Sequence, residues 1–164
     1  TPGSYMDHLE VVRLLVDQWR AVGQEDHVAD LVAEYLRRDL LNKVLGNSDN
    51  HGRNTSIIRE PKALRLAPIY DLAPMVMDAE AVTRTTKWPK PLEIAGDINW
   101  RAVCEALADL VDPEQSFERL RQTAEHLRAL PDLLVASGVP AVTLNHPSIP
   151  LGKLDLRLRQ WGLR

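Results

Sequence analysis

Asp49 and Asn54 stand five positions apart in the stretch Leu45 to Asp71, LGNSDNHGRNTSIIREPKALRLAPIYD, and Asp71 closes it. A carboxylate, an amide five residues on and a second carboxylate downstream make the spacing with which phosphoryl-transfer enzymes arrange a base and their magnesium ligands. Such a reaction asks little covalent chemistry of a protein: a hydroxyl must be placed in line with the γ-phosphorus of ATP, and charge must be neutralised. One carboxylate orients or accepts the hydroxyl proton. The amide oxygen and the second carboxylate suit magnesium, a hard cation that prefers oxygen and keeps several waters. On this scheme Asp49 is the base, Asn54 binds one metal ion, and Asp71 binds or bridges magnesium. Taken alone, Asp49 also reads as a turn or cap residue, because NSDN is what a tight turn selects.

The elements around this stretch must hold it in place. Val28, Leu31, Val32, Tyr35, Leu36, Leu40 and Val44 recur every three or four residues, which predicts a helix from about Asp26 to Leu45 that ends at Gly46. That helix gives the polar loop 47–54 a rigid mount. Thr55 to Ile58 and Leu64 to Ala67 are short branched or apolar runs separated by Arg59, Glu60, Pro61, Lys62 and Ala63, which predicts a β-hairpin with a five-residue turn. Such a hairpin would return Asp71 to the side of Asn54.

Upstream, Leu9, Val12, Leu15, Val16 and Trp19 predict an amphipathic helix with Asp7 as N-cap and Gly23 as stop, and residues 1–6 read as an N-terminal arm. Downstream, residues 78–97 follow neither period and read as a long, partly basic loop, in which the lysines of 83–91 are expected to be solvated. Helices resume at Asn99 and again at Asp112 with Pro113; Pro131 breaks the second, and Leu133 to Ser137 forms a short helix before Gly138. NHPSIP, 145–150, reads as a linker, and the tail Leu154 to Trp161 fits a strand or a helix equally. Trp19, Trp88, Trp100 and Trp161 read as core or lobe-packing residues, although Trp88 sits in the aperiodic loop.

With 164 residues the chain fits one domain, and its 45% hydrophobic and 26% charged residues are those of an ordinary globular protein. The net charge is −3, and the 20 basic residues are spread evenly, nine before residue 83 and eleven after. Nucleic-acid binding is not expected, because it needs a concentrated basic face. The single Cys104 has no internal disulfide partner and no His beside it, so it reads as a small buried residue, and a reducing cytoplasmic setting is expected. No apolar run approaches the ~20 residues of a membrane span. Glu125 and His126 lack metal-ligand spacing.

Gly46, Asn47, Ser48, Asp49, Asn50, His51, Gly52, Arg53 and Asn54, followed by Ala67, Pro68, Ile69, Tyr70, Asp71 and Leu72, resemble the paired GNxDxHxxN and SPxYDL signatures of the HipA-like kinases. The preceding LLNKVLGN is similar to that family as well, and the likeness runs from about Asp7 to Leu110. These are serine/threonine kinase toxins of bacterial toxin–antitoxin systems, distantly related to protein and lipid kinases. The resemblance implies a mainly α fold with a small β-hairpin, the C-terminal lobe of a protein-kinase-like fold, over 7–164. It implies Asp49 as the catalytic residue and Asn54 and Asp71 as magnesium ligands beside ATP. His51 matches a motif position near the cofactor and takes an orienting role, since its nitrogen suits magnesium poorly. A protein serine as substrate, an aminoacyl-tRNA synthetase as the best-known kind of target, and a helix-turn-helix antitoxin of HipB type as partner are further implications.

One departure bears on activity. The family's N-terminal lobe carries a phosphate-covering loop and a lysine, whereas this chain contains no Gly-x-Gly, and Gly152 and Lys153 lack the earlier glycine of a phosphate loop. The chain is therefore expected to hold half an active site, to bind magnesium-ATP weakly and to be inactive in isolation. The alternative function is a non-catalytic fragment or decayed kinase lobe acting as a protein-binding module. A magnesium-dependent hydrolase using the same carboxylates is a third reading.

Overall fold

The computed structural model describes residues 5–164, and helix α2, Val28–Leu45, is its axis. One stripe of α2, from Val28 through Val32, Leu36 and Leu40 to Val44, is buried, as the period of its apolar residues requires. Against it pack α1, His8–Ala21, and α4, Pro113–Leu127, while α3, Trp100–Ala106, lies on α4. Three of the helices begin on capping side chains that accept backbone N–H bonds: Asp7 from Leu9, Asn99 from Ala102, and Asp112 from Glu114 and Gln115. All four tryptophans are buried, Trp88 included.

The strands are short and form three two-stranded sheets. Strand β1, Met6–Asp7, pairs in parallel with β4, Thr86–Lys87. Strands β2, Ile57–Glu60, and β3, Ala63–Leu66, form the expected antiparallel hairpin, and β5, Glu93–Ile94, pairs with β6, Asp97–Ile98. The fold is mainly α with a small β-hairpin, as the sequence predicts.

Several boundaries differ from the sequence reading. Arg59, Glu60 and Ala63, expected in the turn, are paired in the ladder, and only Pro61 and Lys62 are left to turn. A hairpin mostly open to solvent tolerates charged residues, so pairing runs on until Pro61, which has no N–H to offer. Met6, expected in an arm, is bonded to β4, and the rest of the arm, 1–4, lies outside the described residues. The lysines of the aperiodic segment, Lys87 and Lys90, are exposed as expected, but the segment is not a solvated loop throughout: Arg84, Thr86, Trp88 and Glu93 are buried. Its backbone bonds run to partners far away in sequence, which leave no periodic trace. Pro131 sits in the first turn of α5, Leu130–Ala136, where its missing N–H costs nothing. The short helix α6, Ala141–Leu144, precedes the 145–150 linker, and α7, Leu154–Gln160, settles the tail as helix.

The end of α2 fixes where the polar loop begins. Gly46 is left-handed, at φ 67°, and the N–H of Asn47 reaches back to the carbonyl of Asn42 at 2.8 Å. The Gly46 carbonyl accepts from Val76 at 3.0 Å, and a Cβ at residue 46 would stand 2.7 Å from Val76 Cγ2 and 2.8 Å from Ile149 Cγ1. Gly46→Ala therefore suffers both a disfavoured backbone and a collision, and is expected to lose about 1–3 kcal/mol of unfolding free energy. A urea midpoint equal to that of the native chain would contradict this account of the turn.

Candidate active site

Asn47 is the buried centre of the loop that α2 projects. Its side-chain nitrogen donates to Asn42 Oδ1 at 2.9 Å and to the carbonyl of Asp71 at 3.4 Å, and its Oδ1 accepts the N–H of Asp49 at 3.2 Å. One amide thus ties together the segments that carry the two candidate carboxylates. Asn54 closes the loop from the other end: Nδ2 donates to the carbonyl of Asp49 at 2.7 Å, and its backbone N–H to His51 at 2.9 Å. With the nitrogen so held, Oδ1 is the atom of Asn54 left to act as a ligand.

A second tie comes through the hairpin. The Tyr70 hydroxyl donates to the carbonyl of Arg53 and, its proton spent there, accepts from Ser56 Oγ at 2.7 Å. Tyr70 and Arg53 are the immediate neighbours of Asp71 and Asn54, so this bond links the segment after the hairpin to the backbone beside Asn54. Asp71 is exposed, and its φ of 56° lies in the left-handed region, uncommon for a residue with a Cβ. His51 Nε2 stands 3.7 Å from Asp49 Oδ1, beyond hydrogen-bond length, and the Asp49 side chain is 38% exposed. Asp49, His51, Asn54 and Asp71 are therefore gathered at one loop cluster.

Beneath this loop lies a buried polar hub that the sequence reading did not find. Asp39, on α2, accepts from Arg84 Nη2 at 3.0 Å and Asn50 Nδ2 at 3.3 Å on one oxygen and from Trp88 Nε1 at 2.8 Å on the other. Arg84 Nη2 also donates to His8 Nε2 at 3.0 Å, which obliges that nitrogen to be unprotonated and His8 Nδ1–H to donate to Tyr35 Oη at 2.7 Å. His8 stacks on Trp88 with ring centroids 4.8 Å apart. The available signal was one carboxylate on the apolar stripe of α2, four residues after Tyr35 and three after Leu36.

Burial lowers the pKa of His8 below its usual 6.5, helped by Arg84 and opposed by Asp39. The 3.7 Å approach of His8 to Asp39 is thus a contact with a neutral imidazole and not an ion pair. Burial on its own would raise the pKa of Asp39, but the Arg84 charge and the Trp88 N–H together hold it below 3.8. Both groups bind protons more readily in the unfolded chain, so stability falls on acidification, first below pH 6.5 and then on through the carboxylate range. Urea midpoints at pH 7.5 and 5.0 should show the first drop, and His8→Gln should flatten it; an unchanged slope in that variant would assign the drop elsewhere.

Unpartnered buried polar atoms concentrate here. Among the described residues they are Ser48 Oγ and His51 Nδ1 in the loop, Arg84 Nε, Arg84 Nη1 and Thr86 Oγ1 in the segment bonded to it, and only Trp100 Nε1 elsewhere. Such groups are tolerated where function asks for them. Cys104 is the contrary case: it is buried, its thiol is pushed up to about 12 by burial, and it is a packing residue. Among the described residues no three His, Cys, Asp or Glu side chains gather as a metal cage, and no helix is long and apolar enough to cross a membrane.

The family model described as the HipA-like C-terminal domain matches residues 3–130. The chain belongs to the HipA-like C-terminal domain family. The match takes in all four candidate residues and α1 to α4, and α6 and α7 lie beyond it. Comparison with curated proteins and with solved structures gave no match.

Proposed function

We propose that this HipA-like domain is the catalytic lobe of a serine/threonine protein kinase that uses ATP and magnesium, and that it acts as a toxin restrained by a helix-turn-helix antitoxin. The observation that carries the reading is the Asn47 amide, which fastens the Asp49 loop to Asp71. Asp49 presents a half-exposed carboxylate on a backbone held at both its N–H and its carbonyl, which suits a base that must meet an incoming serine hydroxyl and take its proton. His51, 3.7 Å away, is placed to orient that carboxylate.

Asn54 Oδ1 and the Asp71 carboxylate are the residues that would hold magnesium, which when bound neutralises charge on the ATP phosphates. The donor set fits: both are hard oxygen ligands, the Asn54 nitrogen is engaged elsewhere, and magnesium commonly takes one or two protein ligands with the rest from phosphate and water. The left-handed backbone of Asp71 turns the chain sharply at a residue the chemistry needs. An aminoacyl-tRNA synthetase is the substrate class to try first, on family grounds.

The full-length gene product that carries this lobe should transfer phosphate from magnesium-ATP to protein serine. Asp71→Ala should lower that transfer by about a hundredfold or more and raise the magnesium concentration needed for half-maximal rate. If phosphate transfer is absent in the native protein, or survives Asp71→Ala, the lobe is a protein-binding module instead.

A further inference from the structure

Asn50 lies next to Asp49, yet its own side chain points to the buried hub and not to the open face. Its Nδ2 donates to Asp39 Oδ1 at 3.3 Å, and its carbonyl accepts from the Thr86 N–H at 3.2 Å and from Thr85 Oγ1 at 3.5 Å. Asp39 is 2% exposed and anchored in the middle of α2, the best-buried helix of the fold, so it is a fixed point. Arg84 bonds that same oxygen, and Trp88 Nε1 the other, so the segment that follows Asp71 is fastened to the point that fastens Asn50.

We propose that Asp39 is a positioning residue: through Asn50 and Arg84 it fixes the Asp49 loop to the 84–88 segment, so that the base and the segment after Asp71 hold one arrangement. The catalytic half of this statement rests on the kinase reading; the structural half does not.

The geometry gives the clamp its direction. Asp49 itself is held only by its backbone, to Asn47 and Asn54, and both of those bonds lie on the loop's own path. The Asn47 amide anchors the start of the loop to Asn42 and Asp71, and Tyr70 holds its far end at Arg53, which leaves the stretch between them to be attached by other bonds. The Asn50 bonds are what attach it sideways to α2 and β4. A carboxylate is required at residue 39 because one oxygen must accept from both a guanidinium and an amide while the other takes an indole N–H. The interior position makes those bonds strong and slow to open.

Asn50→Ala cuts the side-chain strap and leaves the Asp39–Arg84–Trp88 bonds in place. Amide hydrogen exchange on the variant should accelerate about tenfold or more at Asp49, Asn54 and Thr86 and stay unchanged within α2 and α4. Asn50→Asp, which sets a second carboxylate against Asp39, should accelerate it further than Ala does. In the full-length protein, Asn50→Ala should lower kcat about tenfold with little change in KM for ATP. The double variant Asp39→Leu with Arg84→Met, which removes the buried charges together with the acceptor for Asn50, should recover most of the urea midpoint lost in Asp39→Ala without recovering loop protection or kcat.

A purely structural role predicts the opposite of that last result, recovery of both, and would overturn the proposal. So would loop exchange unaltered by Asn50→Ala, or acceleration spread evenly through α2 and α4. If Asp49→Asn leaves phosphate transfer intact, the kinase reading fails while the exchange data still decide the clamp. If Asp49→Asn abolishes transfer and Asn50→Ala changes neither exchange nor kcat, the clamp fails and the kinase reading stands.

Discussion

If the domain is the kinase lobe proposed above, Asp49→Asn in the full-length protein should lower phosphate transfer to serine by about 10²- to 10⁴-fold, the contribution a positioned general base makes. The fold should not notice. Every hydrogen bond that shapes the loop at residue 49 uses the backbone, its N–H to Asn47 and its carbonyl to Asn54, and an asparagine keeps both. The carboxylate itself is 38% exposed and the His51 ring stands 3.7 Å off, beyond hydrogen-bond length, so the isosteric amide removes the base and little else. Equal urea midpoints with a large fall in kcat and a steady KM would place the loss in the chemical step. A variant retaining a tenth or more of native activity would remove Asp49 from the role of base. That outcome would leave the loop as a recognition surface.

The largest effect on stability is expected at the hub. Asp39→Ala strands the Arg84 guanidinium, which is 8% exposed, and takes the acceptor from Trp88 Nε1 and Asn50 Nδ2 as well. Breaking a buried pair from one side costs about 3–5 kcal/mol, because the surviving charge stays desolvated without its partner. For a domain of this size that lowers Tm on the order of 10 °C. Glu93 Oε2 stands 3.7 Å from Arg84 Nη2, too far to form a hydrogen bond and close enough to soften the loss by Coulomb attraction. The same reasoning says the pair is no large net source of stability: replacing both charges with apolar groups should be close to neutral. A loss under about 1 kcal/mol in Asp39→Ala, measured by urea unfolding, would show that water reaches Arg84.

These two expectations separate what each part of the molecule does. On the kinase reading Asp49 serves the chemistry and can be replaced at little cost to the fold, whereas Asp39 holds the fold and acts on the chemistry only by positioning the loop. Both sit on or just beyond α2, ten residues apart, and the helix that buries one delivers the other to the surface.

The sequence by itself determined the elements whose causes are local. Helices α1, α2 and α4 were legible because a buried stripe repeats every three or four residues, and the starts of α1, α3 and α4 because Asp7, Asn99 and Asp112 cap from within the same few residues. Gly46 was legible as a stop because only a left-handed residue closes α2. The candidate residues Asp49, His51, Asn54 and Asp71 were legible by their spacing, and the family match covers the motifs that carry them. Strand limits were less so, since pairing past Ile58 runs through the exposed Arg59 and Glu60 and stops only at Pro61.

Only the tertiary structure decided the rest. Residues 84–93 have no period because most of their buried members answer partners outside the segment: Arg84 answers Asp39 and His8, Thr86 pairs with Met6, and Trp88 bonds Asp39 and covers His8, while Glu93 closes back on the Trp88 N–H. Asp39 looked like one more charge on a helix until Arg84 and Trp88 arrived to bond it. The helical period that reveals a core stripe reports only what one element buries. Which polar groups share that interior, and so what holds the loop still, is set by pairs up to 76 residues apart and is settled only when the chain closes on itself.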